Sequence, residues 1–153
     1  MAVPRELLAE HPLFVGLNDE VLSVTADCAV DVRAGADEIV FRTGDPADRC
    51  YLVRRGRIAL DLVAEGGERL VVDTVDDGGV VGLAWLVPPY RWYLDARAVE
   101  PTSAIAVDAV RLRALWDQHP GLGYVMLRRL VAAMYERMQS ARVRLLDVYG
   151  RHT

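Results

Sequence analysis

Val40–Leu60 reads VFRTGDPADRCYLVRRGRIAL, and this stretch decides the fold. Two turn signals bracket a short apolar run. Gly44-Asp45 and Gly56 stand where the chain reverses, because glycine tolerates positive φ and asparagine or aspartate closes turns locally. Between them Tyr51 and Val53 alternate with polar neighbours, so both are expected to point into one core. Beyond Gly56, Ile58, Leu60 and Leu62 alternate with Arg57, Ala59 and Asp61, the period-two pattern of a half-buried strand. Further glycines at 35, 66–67, 78–79 and 82 punctuate the surrounding sequence. Several short strands at even spacing predict a β-sandwich or jelly roll rather than a parallel α/β sheet.

Helical patterns lie on either side. Asn18 is a candidate N-cap with Asp19 and Glu20 in the first turn, and Leu17, Val21, Val24 and Cys28 fall on one helical face. After about residue 107, Asp108 caps a short helix carrying Leu112, Leu115 and Trp116. His119-Pro120 ends it and opens a last helix running to about Tyr149. On that helix Tyr124, Leu127, Val131, Met134, Met138, Ala141, Leu145 and Val148 recur at alternating steps of three and four, a heptad seam. A second copy of the chain is the natural partner for it. Arg128, Arg129, Arg137, Arg142 and Arg144 lie off the seam and read as a solvated face, as Asp73, Asp76 and Asp77 read as solvated loop charges. The expected organisation is one α+β domain over 1–153: a helical cap (1–29), a β-roll (30–107) and C-terminal helices (108–150).

Composition excludes several classes. A chain of 153 residues with 52% hydrophobic content buries a core and is not disordered. The formal charge is −4 with no basic block, which argues against a nucleic-acid footprint. No stretch approaches the apolar length of a membrane span, and the N-terminus lacks a secretory apolar region. Cys28 and Cys50 are isolated, and His11, His119 and His152 show no ligand spacing. GxSxG, HExxH and GxxxxGK motifs are absent. The expectation is a cytoplasmic, metal-free non-enzyme without a bound cofactor.

Helix, roll, short helix and long helix in this order resemble the cyclic-nucleotide-binding domain of the catabolite-activator family. HPLFVGLNDEVL looks like the family's opening segment. The main match is Phe41-x-x-Gly44-Asp45-x-Ala47-Asp48-x-x-Tyr51-x-Val53-x-x-Gly56. The resemblance implies a β-roll with a long dimerisation helix, here the seam helix. It also implies a phosphate-binding cassette: Gly-Glu, a short helix, then an arginine followed by small residues. The glutamate accepts from the ribose hydroxyl, while the arginine and helix-start amides hold the phosphate. In this chain Gly82 matches, but Leu83 replaces the glutamate. Counting back from Ala98, Trp92 stands at the arginine's place, with Arg91 one residue off and Arg97 a further candidate. Gly82, Leu83, Ala84, Trp85, Arg91, Trp92 and Arg97 are therefore the expected lining of any anion or nucleotide pocket. Losing the charged acceptor and the phosphate–guanidinium pair weakens cAMP binding by about two to six decades. Of the cluster Trp85, Tyr90, Trp92 and Tyr93, two readings stand: stacking on a ligand, or filling the nucleotide's space. Pro88-Pro89 reads as a stiff spacer.

Three functions compete. One is a stand-alone, homodimeric sensory module that signals to a separate protein partner. Another is a structural or interaction protein with a closed pocket. The third is the sensor half of a truncated transcription regulator, since a helix-turn-helix domain would begin where this chain ends. No DNA or membrane partner is expected of the 153 residues themselves.

Overall fold

The computed structural model describes residues 2–150. Two short helices, α1 (Arg5–Ala9) and α2 (Asp19–Ala26), lead into a β-roll, and α3 (Ala109–Gln118) and α4 (Pro120–Gly150) follow it. Seven strands make two antiparallel sheets. β1 (Ala29–Ala34), β7 (Thr102–Asp108) and β3 (Arg49–Arg55) form one, in the order β1-β7-β3. β2 (Ile39–Phe41), β6 (Asp95–Ala98), β4 (Ile58–Val63) and β5 (Arg69–Val75) form the other, in the order β2-β6-β4-β5. This is the α+β jelly roll that turn spacing predicts.

The caps form as read. Asn18 accepts from the Val21 amide at 2.9 Å and Asp108 from the Arg111 amide at 3.1 Å. The buried stripe of α2 differs from the expected one. Leu22, Thr25 and Ala26 face the core, whereas Leu17, Val21 and Cys28 pack only along its edge. Cys28 lies beyond the end of α2, so the helical face stops short of it.

The reading of β4 is also corrected. Ile58 and Leu60 are buried, but so are Ala59 and Asp61, while Leu62 is 50% exposed. Arginine side chains cover the face that alternation assigns to water. A simple in–out pattern fails when long basic stems lie across a sheet.

Gly56 has φ +121°, and a Cβ there would lie 2.8 Å from the Thr102 Cα. Thr102 Oγ1 accepts from the Arg57 amide at 3.2 Å, so this strand end is fixed in place. Gly56→Ala therefore combines strain with a backbone clash and is expected to destabilise the domain by about 2–4 kcal/mol. Thermal unfolding followed by circular dichroism checks this; a midpoint within a degree or two of wild type contradicts it.

In α4, Gly123, Met126 and Leu130 are buried against the roll, while the seam lies elsewhere. Tyr124, Leu127, Val131, Met138, Leu145 and Val148 are exposed, by 41% to 64%, and Ala141 is exposed as well. Met134 alone of the seam packs partly on its own core. The off-seam arginines are not simply solvated. Arg129 donates to the carbonyls of Leu13 and Val15, and Arg137 pairs with Asp73 and donates to the Thr74 carbonyl at 3.1 Å. Arg144 reaches Asp73 at 3.4 Å. Arg128 lies over the Tyr124 ring, and Arg142 stays on the surface of α4.

The acidic triplet is corrected with them. Asp73 belongs to β5 and holds α4. Asp76 pairs with Arg57 at 2.8 Å, and Asp77 accepts from the Gly56 amide at 2.8 Å.

Candidate nucleotide-binding cassette

The cassette begins where β5 has turned back beside β3. Gly79 accepts from the Val53 amide and the Val81 amide donates to the Tyr51 carbonyl, both at 2.9 Å, so Val80-Val81 run as an extra rung along β3. Gly82 follows with φ +73°, a conformation glycine adopts without strain. A Cβ at Gly82 would lie 3.1 Å from the Trp92 ring. The next element is a single 3-10 turn, Ala84–Leu86, rather than a helix.

Aromatic rings occupy the interior here. Trp92 is 5% exposed and stacks on Phe41 with centroids 3.8 Å apart and planes 9° apart. Trp85 is 1% exposed, donates its indole N–H to the Gly82 carbonyl at 3.1 Å, and lies 5.9 Å from Trp116. A buried tryptophan needs a partner for that N–H, and Gly82 provides it. Leu83 packs at the core edge. Tyr90 lies under Arg113, whose guanidinium carbon is 4.0 Å from the ring centroid, and Tyr93 is 68% exposed. The cluster thus divides: Trp85 and Trp92 belong to the core, Tyr90 is half-buried under Arg113, and Tyr93 is on the surface.

The structure brings Gly82, Leu83, Ala84, Trp85 and Trp92 together and leaves both arginines apart. Arg91 is exposed and donates to the Gly44 carbonyl at 3.2 Å. Arg97 donates its Nε–H to Asp61 at 3.0 Å and lies 3.7 Å from Asp37. Strand alternation explains the separation. Ala96 and Ala98 are fully buried, and Arg97 between them must face the other side of β6.

That other side carries an ion cluster that sequence reading missed. Asp61 and Asp95 are cross-strand neighbours on β4 and β6, 0% and 4% exposed. Arg69 bridges them at 3.3 and 3.0 Å, and Arg97 adds a second cation to Asp61. Thr43 donates its amide at 2.7 Å and its hydroxyl at 2.8 Å to Asp95. Burial pushes the Asp95 carboxyl up, but the Thr43 donors and Arg69 outweigh it and hold it below its ordinary value. An aspartate in the middle of an apolar strand was the available signal. Its partners, 8 and 36 residues away, were not visible without the sheet order.

Between β5 and α4 runs an open groove of about 740 Å³, lined by Asp73, Gly78, Val80, Arg137 and Arg144 among others. The Asp73–Arg137 pair spans it. Among the described residues no helix is long and apolar enough to cross a membrane.

Comparison with known proteins agrees with this architecture. The family model described as the cyclic nucleotide-binding domain matches residues 31–119. Over 93 residues the chain is 30% identical to the global nitrogen regulator of Synechocystis sp., covering 60% of this chain and 41% of that protein. The chain thus spans about two-fifths of that relative. A cyclic nucleotide-binding domain from Methylobacillus flagellatus superposes with a TM-score of 0.75 at 20% identity, over 93% of this chain and 80% of that one. The Thermus thermophilus catabolite activator protein superposes with a TM-score of 0.66 at 24% identity, over 90% of this chain and 63% of that one. With a jelly roll, a cassette glycine at residue 82 and a family match over more than half its length, this chain belongs to the cyclic nucleotide-binding domain family.

Proposed function

We propose that this chain is a regulatory module of the cyclic-nucleotide-binding fold, homodimeric through α4, that binds cAMP weakly or not at all. One observation carries the reading: the Trp92 indole, which counting back from Ala98 sets at the family's phosphate-holding arginine, is stacked on Phe41 and lies against Gly82. A cyclic phosphate is an anion and needs fixed donors or a cation. This site offers an apolar ring instead, and Leu83 offers the ribose no acceptor. Arg91 and Arg97 are held by Gly44 and Asp61, so neither is spare for a phosphate.

The exposed seam of α4 supports dimerisation. Seven of its eight positions carry solvent-facing side chains in the single chain, and heptad side chains of this kind are buried by a second helix. The composition and the absence of a spanning helix among the described residues support a cytoplasmic setting. The burial of Trp85 and Trp92 also supports a second reading, an interaction module that signals by protein contact with no nucleotide bound.

Calorimetric titration of the purified protein with cAMP, with cGMP as comparator, tests the proposal. The expected result is no saturable heat at micromolar ligand and an unshifted melting temperature. Micromolar or tighter cAMP binding overturns it.

A further inference from the structure

The two sheets of the roll do not meet everywhere. On the far side of the Phe41–Trp92 stack lies a cavity of about 200 Å³, walled by β1, β2, β3, β4 and β7. Its apolar lining includes Val32, Ile39, Val40, Ile58 and Val81. Ala34 and Ala104, on neighbouring strands, contribute only small side chains to its wall, and the half-buried Val32, Val40 and Tyr51 leave it partly open to solvent. Tyr51 in its wall lies 5.7 Å from the Phe41 ring, and Val81 brings it up against the start of the cassette.

Size points to the kind of occupant. A dry apolar cavity of about 150 Å³ is known to hold one benzene ring. A void also denies its lining side chains their packing contacts, which an occupant of the right shape restores. Polar chemistry narrows the class further. Tyr51 is half-buried in the cavity wall, and the exposed Arg49 also lines it. Burial raises the proton affinity of the Tyr51 phenol, and the nearby Arg49 guanidinium offsets part of that rise. Tyr51 and Arg49 are two positions apart on β3 and share a face. Arg33 also borders the cavity, between Val32 and Ala34 on β1, where strand alternation turns its side chain to the opposite face from theirs. Glu38 lines the cavity from the β1–β2 turn, and Asp45 and Asp48 act on Tyr51 from the β2–β3 turn.

We propose that this inter-sheet cavity is a binding site for a small apolar carboxylate of one-ring size. Its apolar body packs between Val32, Ile58 and Val81. Its carboxylate is held by the Arg49 guanidinium and the Tyr51 hydroxyl. Val81 directly precedes Gly82, and its amide is bonded to the Tyr51 carbonyl, so an occupant touches the segment that sets the cassette. The site does not depend on the reading of Trp92.

The test is calorimetric titration of the full chain with benzoate, benzyl alcohol and benzylamine, together with melting curves. Benzoate is expected to bind saturably, at about 10 mM or tighter for a fragment this small, and to raise the melting temperature. Arg49→Gln changes only an exposed side chain and is expected to weaken benzoate about tenfold or more while leaving benzyl alcohol unchanged. Ala34→Leu fills the void and is expected to abolish binding of all three probes. No saturable benzoate binding to the wild type overturns the proposal. So does equal or tighter binding of benzyl alcohol or benzylamine, or benzoate affinity unaltered by Arg49→Gln. Should Ala34→Leu fail to fold, the Arg49→Gln comparison decides alone.

Discussion

Replacing Met138 and Leu145 together by glutamate is expected to leave a monomer of 17.0 kDa, where the dimer proposed for the wild type runs at twice that mass. Both side chains are exposed in the single chain, by 43% and 56%, and both recur on the seam one heptad apart. Neither belongs to the buried core, so the substitutions leave the roll intact. Across a parallel helix pair they would place four carboxylates in one apolar strip, where each ion loses hydration without a counter-charge. Met134 is the poorer choice although it lies on the same seam. It packs partly on the domain's own core, and a glutamate there would confound unfolding with dissociation. Light scattering with a melting curve separates the two. A dimer mass unchanged by the double substitution removes the seam from the interface.

Asp61→Asn is expected to lower stability by about 3 kcal/mol, equivalent to roughly 6–12 °C in the melting midpoint. The residue is fully buried between Arg69 and Arg97. Asparagine keeps the shape and removes the charge, leaving two guanidiniums against a neutral amide. The cost falls at the low end for a buried pair because Arg69 and Arg97 are still 32% and 22% exposed and so keep part of their hydration. Combining Asp61→Leu with Arg97→Met is expected to restore most of the loss, since replacing both members of a pair leaves no orphaned charge.

The same cluster sets an acid limit. Asp95 has its carboxyl held below the ordinary value in the folded state, so its contribution is present above the unfolded aspartate value, about 3.9. It is lost as pH falls through the lower folded value. Acid unfolding monitored with and without Asp95→Asn checks this. The variant's stability is expected to fall less steeply below about pH 4. Parallel profiles contradict the assignment.

Local residue chemistry in the sequence was sufficient for the roll, the caps and the helix order. Gly44 and Gly56 allow turns that other residues strain, Asn18 and Asp108 satisfy amides three residues on, and Pro120 starts a helix it cannot continue. All of these act within a few positions, so one sequence reveals them. The seam was legible for the same reason, because a heptad is a local repeat. The cassette was legible only in part. Leu83 and Trp92 could be seen to depart from the family pattern, but where Arg91 and Arg97 point is a matter of strand face and partner. Arg97 turns to Asp61 because β4 and β6 are neighbours in the sheet, and Arg137 turns to Asp73 because α4 lies over β5. These pairs join residues 36 and 64 positions apart. Only the tertiary structure decides them, because an ion pair depends on which elements are adjacent and a charged residue's own sequence neighbourhood does not record that. The inter-sheet cavity has the same origin: it is the volume left when two sheets close over alanines, and no single segment contains it.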